Sequence, residues 1–270
     1  MIWVILLAAA SLAGWFIGRK LKQRQERAAL LTTPLTDEER AIIIDHVPLF
    51  ERLPDTTREK AEGKINLLMD QVEFYGCDGL EVTEDMALSI AAQAAILVAE
   101  NDAWYSTLRT ILLYPGAFKS RQMHQDGYVV TDRDCIRTGE SWYRGPVILS
   151  WADSEHGAFR DDDGHNVVFH EFAHQLDDSS GATNGMPLLN SAARGQAWVD
   201  AFSEAFERNN RMLEIGKRPF LDPYGATAPE ELFAVATENF FERPVEMQHH
   251  EGALYDALKD YFQQDPASWS

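Results

Sequence analysis

Cysteine and basic residues are scarce in this chain of 270 residues, and each shortage excludes a class of protein. Two cysteines, without a CxxC pair or a Cys/His cluster, exclude a disulfide-stapled scaffold and a cysteine-rich zinc module. The chain has 24 Lys and Arg against 43 Asp and Glu, a net charge of −19. Because nucleic-acid binding normally starts from a basic surface, we expect no direct contact with DNA or RNA.

The chain also lacks internal repeats and low-complexity segments, which excludes solenoids and collagen-like proteins. No Pro/Gly/Ser-rich linker divides residues 36–265. A length of 270 residues and a hydrophobic content of 45% are enough to bury a sizeable core. The sequence therefore predicts one domain over residues 36–265.

One long uncharged run is present, at the N-terminus. Residues 2–18 carry no charge, and the next nine residues hold five basic side chains: Arg19, Lys20, Lys22, Arg24 and Arg27. As a helix the run would be roughly 25 Å long, close to the thickness of a bilayer core. The charges that follow it would keep the body in the cytoplasm. We expect a single-pass inner-membrane anchor at 1–18 and a basic juxtamembrane linker at 19–35; a soluble cytoplasmic protein is the alternative.

Helical and strand patterns alternate through the rest of the chain. Capping boxes at Thr36–Glu39 and Thr56–Glu59 each predict the start of a helix. Strands are predicted at 72–75, 107–114, 127–131 and 146–151, a loop at 152–164, and further helices at 83–100, 166–177, 194–210, 229–242 and 251–263. This order predicts an α+β domain with a small sheet among helices, preceded by the transmembrane helix.

The strongest motif is HExxH, formed by His170, Glu171 and His174. Residues four apart share one face of a helix, so both imidazoles can bind one Zn²⁺. Glu171 lies beside that face and can take a proton from the attacking water. An apolar stripe predicts the buried side of the same helix: Phe169, Phe172, Ala173 and Leu176.

A hydrolytic zinc site usually has a third protein ligand, and the sequence offers several carboxylates for it. Glu231 and Glu238 share one face of the helix predicted at 229–242, so either can reach inward. Asp177 is an alternative ligand, but its short side chain is better suited to orienting an imidazole or the helix end. The residues alone leave Glu231 and Glu238 equally eligible.

These motifs and several flanking stretches resemble the Mlc titration factor A family of bacterial zinc metallopeptidases. The similar stretches are Val47–Pro54, Gly76–Thr83, Gly139–Trp151, His170–Asp177 and Tyr224–Pro244. The resemblance implies a zincin-like metallopeptidase domain whose active-site region is similar to that of the anthrax lethal factor catalytic domain. It also implies one Zn²⁺ bound by His170, His174 and Glu231, with Glu171 as general base and Tyr224 as donor to the oxyanion.

The resemblance further implies a partner, the glucose-responsive repressor Mlc, whose capture would relieve the repression of sugar-uptake genes. Three functions therefore compete: a zinc peptidase with aminopeptidase-like activity, a regulatory module that captures a repressor, and a membrane-anchored quality-control protease. For a peptidase, the run Pro146–Ser150 is expected to be an edge strand that pairs with an extended peptide substrate.

Overall fold

A computed structural model describes the backbone of residues 2–126, 129–137, 139–141 and 145–269, and the side chains of residues 12, 14–117, 139 and 145–269. The α-helices within these residues are α1 (Ile2–Thr32), α2 (Asp37–His46), α3 (Asp55–Gln71), α4 (Glu84–Leu97), α5 (Trp151–Phe159), α6 (Val167–Asp177), α7 (Ala192–Glu214), α8 (Pro229–Glu242), α9 (Pro244–His250) and α10 (Gly252–Phe262). The strands are β1 (Glu73–Gly76), β2 (Thr110–Tyr114), β3 (Phe118–Asp126), β4 (Val129–Arg137), β5 (Gly139–Ser141) and β6 (Val147–Ser150).

Two small β structures accompany the helices. β1, β2 and β6 are parallel neighbours in one sheet, and β5 pairs antiparallel with β6 at its end, in the order β1-β2-β6-β5. β3 and β4 form a separate two-stranded antiparallel sheet, and residues 127 and 128, where the predicted strand 127–131 begins, lie outside the described residues. A strand is present in the run 146–150, as β6, but its predicted place at the sheet edge is wrong, because β6 lies between β2 and β5; the edge strands are β1 and β5.

The core is built around two buried helices. α4 and α8 each bury eleven of their fourteen residues. α6 packs against both of them and against β5. This arrangement holds the HExxH helix between two buried helices and β5, one of the two edge strands of the sheet.

The predicted fold class, α+β with an N-terminal transmembrane helix, is wrong. Helices predominate in the described residues, and two of the predicted strands are shorter than expected: 107–114 becomes β2, with five residues, and 146–151 becomes β6, with four. No helix in the part of the chain that the structure describes is long and apolar enough to cross a membrane. The side chains of residues 1–11 and 13, which belong to the predicted anchor, lie outside the described ones.

The first helix instead continues through the basic stretch and packs against the body at its C-terminal end. α1 runs without a break over residues predicted as anchor and linker, 2–32. Its last turn approaches α3 so closely that a Cβ at Gly63 would lie 2.2 Å from the carbonyl oxygen of Leu31. The Trp104 ring contacts two cations here, Arg27 at 5.1 Å and Lys64 at 5.3 Å from its centroid. The end of α1 is thus part of the packed body.

Candidate metal centre

α6 places both histidines of the HExxH motif at the border of the core. Its first turn is capped by Asn166, whose side-chain oxygen accepts a hydrogen bond from the N–H of Phe169 at 2.9 Å. The predicted apolar stripe is confirmed, since all four of its residues are fully buried: Phe169, Phe172, Ala173 and Leu176. The side chains of His170 and His174 keep 14% and 13% exposure, so a ligand can still reach them.

Glu231, from the first turn of α8, meets the two histidines. Its Oε2 lies 3.1 Å from Nε2 of His170 and 3.4 Å from Nε2 of His174. One ligand atom from each of the three residues lies within 4.8 Å of the others. α8 contributes this carboxylate because α6 and α8 pack directly against each other.

These three side chains fit a metal ion. Ligand bonds of about 2.0–2.1 Å in a tetrahedral site leave about 3.3 Å between neighbouring ligand atoms. The separations of Glu231 Oε2 from the two imidazole nitrogens are 3.1 and 3.4 Å, on either side of that value. Two imidazoles and one carboxylate also leave a fourth position open, as hydrolytic metal sites require.

The electrostatics of the cluster favour positive charge at its centre. Burial lowers the pKa of His170, but hydrogen bonds to Glu231 and Glu238 outweigh it and hold that pKa well above its usual value. Burial raises the pKa of Glu231, yet its hydrogen bonds with His170 and His174 bring that pKa far below the ordinary range. A cation bound among these groups would supply the positive charge that a proton on His170 otherwise supplies.

Glu238 lies behind His170. Its Oε1 is 2.8 Å from Nδ1 of His170, and its Oε2 accepts the backbone N–H of Asn166 at 2.7 Å. Both oxygens are thus used away from the Nε2 atoms that converge with Glu231. This geometry suits a carboxylate that holds the imidazole in one orientation and tautomer.

Asp177 lies at the end of α6 with a fully buried side chain. It accepts the backbone N–H groups of Gly185 at 2.6 Å and Met186 at 2.9 Å, so its oxygens hold a loop. Burial raises the pKa of Asp177 above its usual value, although these two hydrogen bonds oppose the rise. Gly185 has φ 75°, and a Cβ there would lie 2.4 Å from the carbonyl oxygen of Pro229, at the start of α8. Asp177 thereby fixes the loop that supports α8.

Glu171, the central residue of the motif, lies against the edge strand. Its side chain is 5% exposed. A Cβ at Gly139 of β5 would lie 2.5 Å from Glu171 Oε1 and 2.6 Å from Cγ2 of Val167, so a larger residue there would displace this carboxylate. Nothing in the HExxH pattern points to Gly139.

Tyr224 lies on the open side of the centre. It belongs to a short 3₁₀ turn, Pro223–Ala226, which packs on α8 through Gly225. The Tyr224 ring centroid is 5.9 Å from that of His170, and the residue is 49% exposed. The predicted hydroxyl donor is therefore next to one of the candidate ligands and accessible to a bound molecule.

Sequence reasoning missed two buried polar residues near the centre. Gln93 is fully buried in the apolar helix α4, and Glu242 is 5% exposed on α8. Glu242 accepts the N–H groups of Gly164 at 2.9 Å and His165 at 3.1 Å. A glutamine within an Ala- and Ile-rich helix could have signalled the first, because a buried amide requires hydrogen-bond partners.

We expect Glu242→Gln to stabilise the protein above neutral pH. Burial, followed by the charge on Glu238, raises the pKa of Glu242 well above its usual value. A carboxyl group with a raised pKa contributes fully to the free energy of unfolding below its ordinary pKa of about 4.3, where it is protonated. That contribution is lost as the pH rises through the raised pKa. Glutamine imitates the protonated form, so Tm at pH 8 should rise by about 2–4 °C per kcal/mol recovered, with no gain near pH 4. Equal or lower melting at pH 8 would contradict this prediction.

Comparisons with known proteins identify a family and several relatives of this chain. Residues 20–263 match the model of the family described as glucose-regulated metallo-peptidase M90. The chain is 44% identical over 240 residues to an uncharacterised protein of Synechocystis sp., covering 88% of this chain and 87% of that protein. It is 30% identical over 227 residues to Mlc titration factor A of Yersinia pestis and of Yersinia pseudotuberculosis, covering 82% of this chain and 83% of each relative.

The family match extends over most of the chain and includes both helices that form the candidate metal centre. The relative at 30% identity also covers well over two thirds of the chain. On this evidence the chain belongs to the glucose-regulated M90 family of metallopeptidases.

Proposed function

We propose that the protein is a zinc-dependent peptidase in which His170, His174 and Glu231 hold one Zn²⁺. The observation that carries this proposal is the convergence of the three side chains at the border of the core, beside a fourth residue able to move protons. Two imidazoles and a carboxylate are a donor set that zinc accepts in hydrolytic enzymes. When bound, the ion would lower the pKa of a water molecule and polarise the scissile carbonyl.

Glu171 is the proposed general base. It follows His170 in the chain, and its charge raises the pKa of that histidine, so the two groups interact. Its carboxylate takes a proton from the attacking water and passes it to the leaving amine. The Gly139 backbone of β5 closes one side of the carboxylate and so limits the positions that it can adopt.

Tyr224 is the proposed donor to the oxyanion, because its ring lies beside His170 on the open side of the centre. We expect Tyr224→Phe to lower kcat by about 10²–10³, the usual loss for one oxyanion donor, with KM and bound metal unchanged. Steady-state kinetics with metal analysis of both proteins measures this. Tyr75→Phe, at a similarly exposed tyrosine on β1, is the matched control. An unchanged kcat would remove Tyr224 from the reaction.

The proposed substrate is an extended peptide. β5 ends the four-stranded sheet and contacts α6, so its outer edge has no strand beside it in the described part of the chain. An extended backbone could pair along that edge and bring a scissile carbonyl towards Glu171. The family resemblance favours removal of N-terminal residues, so we propose an aminopeptidase-like specificity.

The proposed biological role is the regulation of sugar uptake through an Mlc-like repressor. Two observations favour it: relatives that carry the name Mlc titration factor A, and the net charge of −19. An acidic protein can attract a DNA-binding protein without binding DNA itself. If a catalytically inactive variant still captured the repressor, the regulation would need binding alone, with hydrolysis secondary.

A peptide library tests the peptidase proposal. The purified full chain is stripped with a chelator, reloaded with zinc, and assayed against free and N-acetylated peptides. We expect one zinc per chain, cleavage that is lost with chelator and restored by zinc, and slower cleavage of acetylated peptides. Absence of bound zinc would overturn the proposed centre. Bound zinc without cleavage of any peptide would favour the repressor-binding role.

A further inference from the structure

A chain of buried hydrogen bonds leads from α4 to the back of the metal centre. Gln93 of α4 is fully buried, with a relative exposure of 0%. Its Nε2 donates to the carbonyl oxygen of Ser89 at 3.3 Å, one turn earlier. Its Oε1 accepts from Nδ2 of Asn166 at 3.0 Å. The contact joins α4 to the residue that caps α6.

Asn166 uses three separate groups at this junction. Its Oδ1 accepts from Phe169 N at 2.9 Å and so caps α6. Its Nδ2 donates to Gln93, and its backbone N–H donates to Glu238 Oε2 at 2.7 Å. The second oxygen of Glu238 lies 2.8 Å from Nδ1 of His170. The four residues therefore form one continuous line from Gln93 to His170.

We propose that Gln93 and Asn166 are positioning residues that fix the orientation of His170 through Glu238. The proposal rests on the metal site proposed above. Gln93 holds the amide plane of Asn166, and the Asn166 backbone N–H occupies one oxygen of Glu238. The other oxygen is thereby aimed at Nδ1 of His170, which leaves Nε2 directed towards Glu231. Gln93 reaches His170 only through this line, whereas the backbone carbonyl of Asn166 also accepts the N–H of His170 at 2.9 Å, as part of the first turn of α6.

The geometry gives a reason for a polar side chain in α4. A buried glutamine costs stability unless its amide is hydrogen bonded, and an apolar residue would pack equally well in this helix. Ser89, one turn before Gln93, is also fully buried, but its hydroxyl has no hydrogen-bond partner among the described residues. The two buried polar residues of α4 thus differ: the side chain of Gln93 is hydrogen bonded to the line that leads to His170, and that of Ser89 is not.

Variants at both ends of the Gln93–Asn166 hydrogen bond test the proposal in the full chain. Gln93→Met keeps an unbranched side chain of similar length and loses the acceptor. Asn166→Ser keeps an oxygen that can cap α6 but is too short to reach Gln93. Ser89→Ala, on the same buried helix, is the matched control. Zinc affinity is measured by competition with a chromogenic chelator, and Tm is measured without metal.

We expect each of the two variants to bind zinc about tenfold more weakly than the wild type. This is the lower end of the affinity loss usually seen when a residue that orients a metal ligand is replaced. Ser89→Ala should bind zinc as tightly as the wild type. Both variants remove the same hydrogen bond. The double variant should therefore bind zinc no more weakly than the single variant with the lower affinity. In zinc-loaded protein, the Nδ1–H proton of His170 should exchange faster with water in both variants, as followed by NMR.

Three outcomes separate the possibilities. Wild-type affinity in both folded variants, or losses that multiply in the double variant, would overturn the positioning role. A lower Tm with unchanged affinity and unchanged His170 exchange would make the hydrogen bond merely structural, which also overturns it. A wild-type protein that binds no zinc would instead refute the proposed centre, so the two failures are distinguishable.

Discussion

Replacing Glu171 by glutamine should abolish peptide hydrolysis while zinc remains bound. Glutamine has nearly the same shape but cannot accept a proton, so the attacking water loses its base. The expected loss in kcat is about 10²–10⁴, the contribution of a well-positioned general base. Glu171 is buried against Gly139, and the isosteric change leaves that packing intact. Kinetics on zinc-loaded protein, with metal content determined on the same sample, measures the effect.

Glu230→Gln is the matched control, because Glu230 precedes the candidate ligand Glu231 on α8 and takes no part in the three-residue cluster. It should retain both activity and zinc. If Glu171→Gln hydrolysed peptides at the wild-type rate, another group would have to act as base. If it lost zinc together with activity, the loss could not be assigned to proton transfer.

Glu231→Ala should remove metal binding almost completely, whereas Glu238→Gln should weaken it by roughly 10–100-fold, as expected of a residue that orients a ligand. The difference follows from geometry: Glu231 Oε2 faces both Nε2 atoms, while the oxygens of Glu238 face Nδ1 of His170 and a backbone N–H. Zinc titration with a competing chelator gives both affinities.

The two variants can be compared directly, because both glutamates belong to α8 and lie seven residues apart. A larger loss in Glu238→Gln than in Glu231→Ala would exchange their roles. Equal and small losses in both would mean that neither carboxylate completes the centre. Far-UV circular dichroism of each variant checks that α8 remains folded.

Local capping signals predicted the start of one helix correctly and misplaced another. The capping box at Thr36–Glu39 is confirmed, with both of its reciprocal hydrogen bonds present. The box predicted at Thr56–Glu59 is wrong, because the helix begins earlier, after Pro54, and Thr56 lies inside its first turn. The predicted loop 152–164 is also wrong over its first half, where Ser150 caps α5.

Predictions that depended on packing between distant segments were weaker. The composition of residues 2–18 predicted a membrane anchor, with residues 19–35 as a linker. In the structure Arg27 and Leu31, within that predicted linker, pack against the body. At the candidate centre, helical spacing left Glu231 and Glu238 equivalent, because both lie on one face of α8. The packing of α8 on α6 decides which of the two glutamates faces both Nε2 atoms. The spacing of residues within one helix contains no information about how that helix packs on another.

The two ends of α6 are held by buried carboxylates, and this has a consequence for hydrogen exchange. Glu238 and Glu242 bind the N–H groups of residues 164–166, while Asp177 binds those of Gly185 and Met186. Loop amides usually exchange fast, since they open without wider unfolding. These amides should exchange as slowly as the core of α6, so α6 and the loops at both its ends would open together as one cooperative unit.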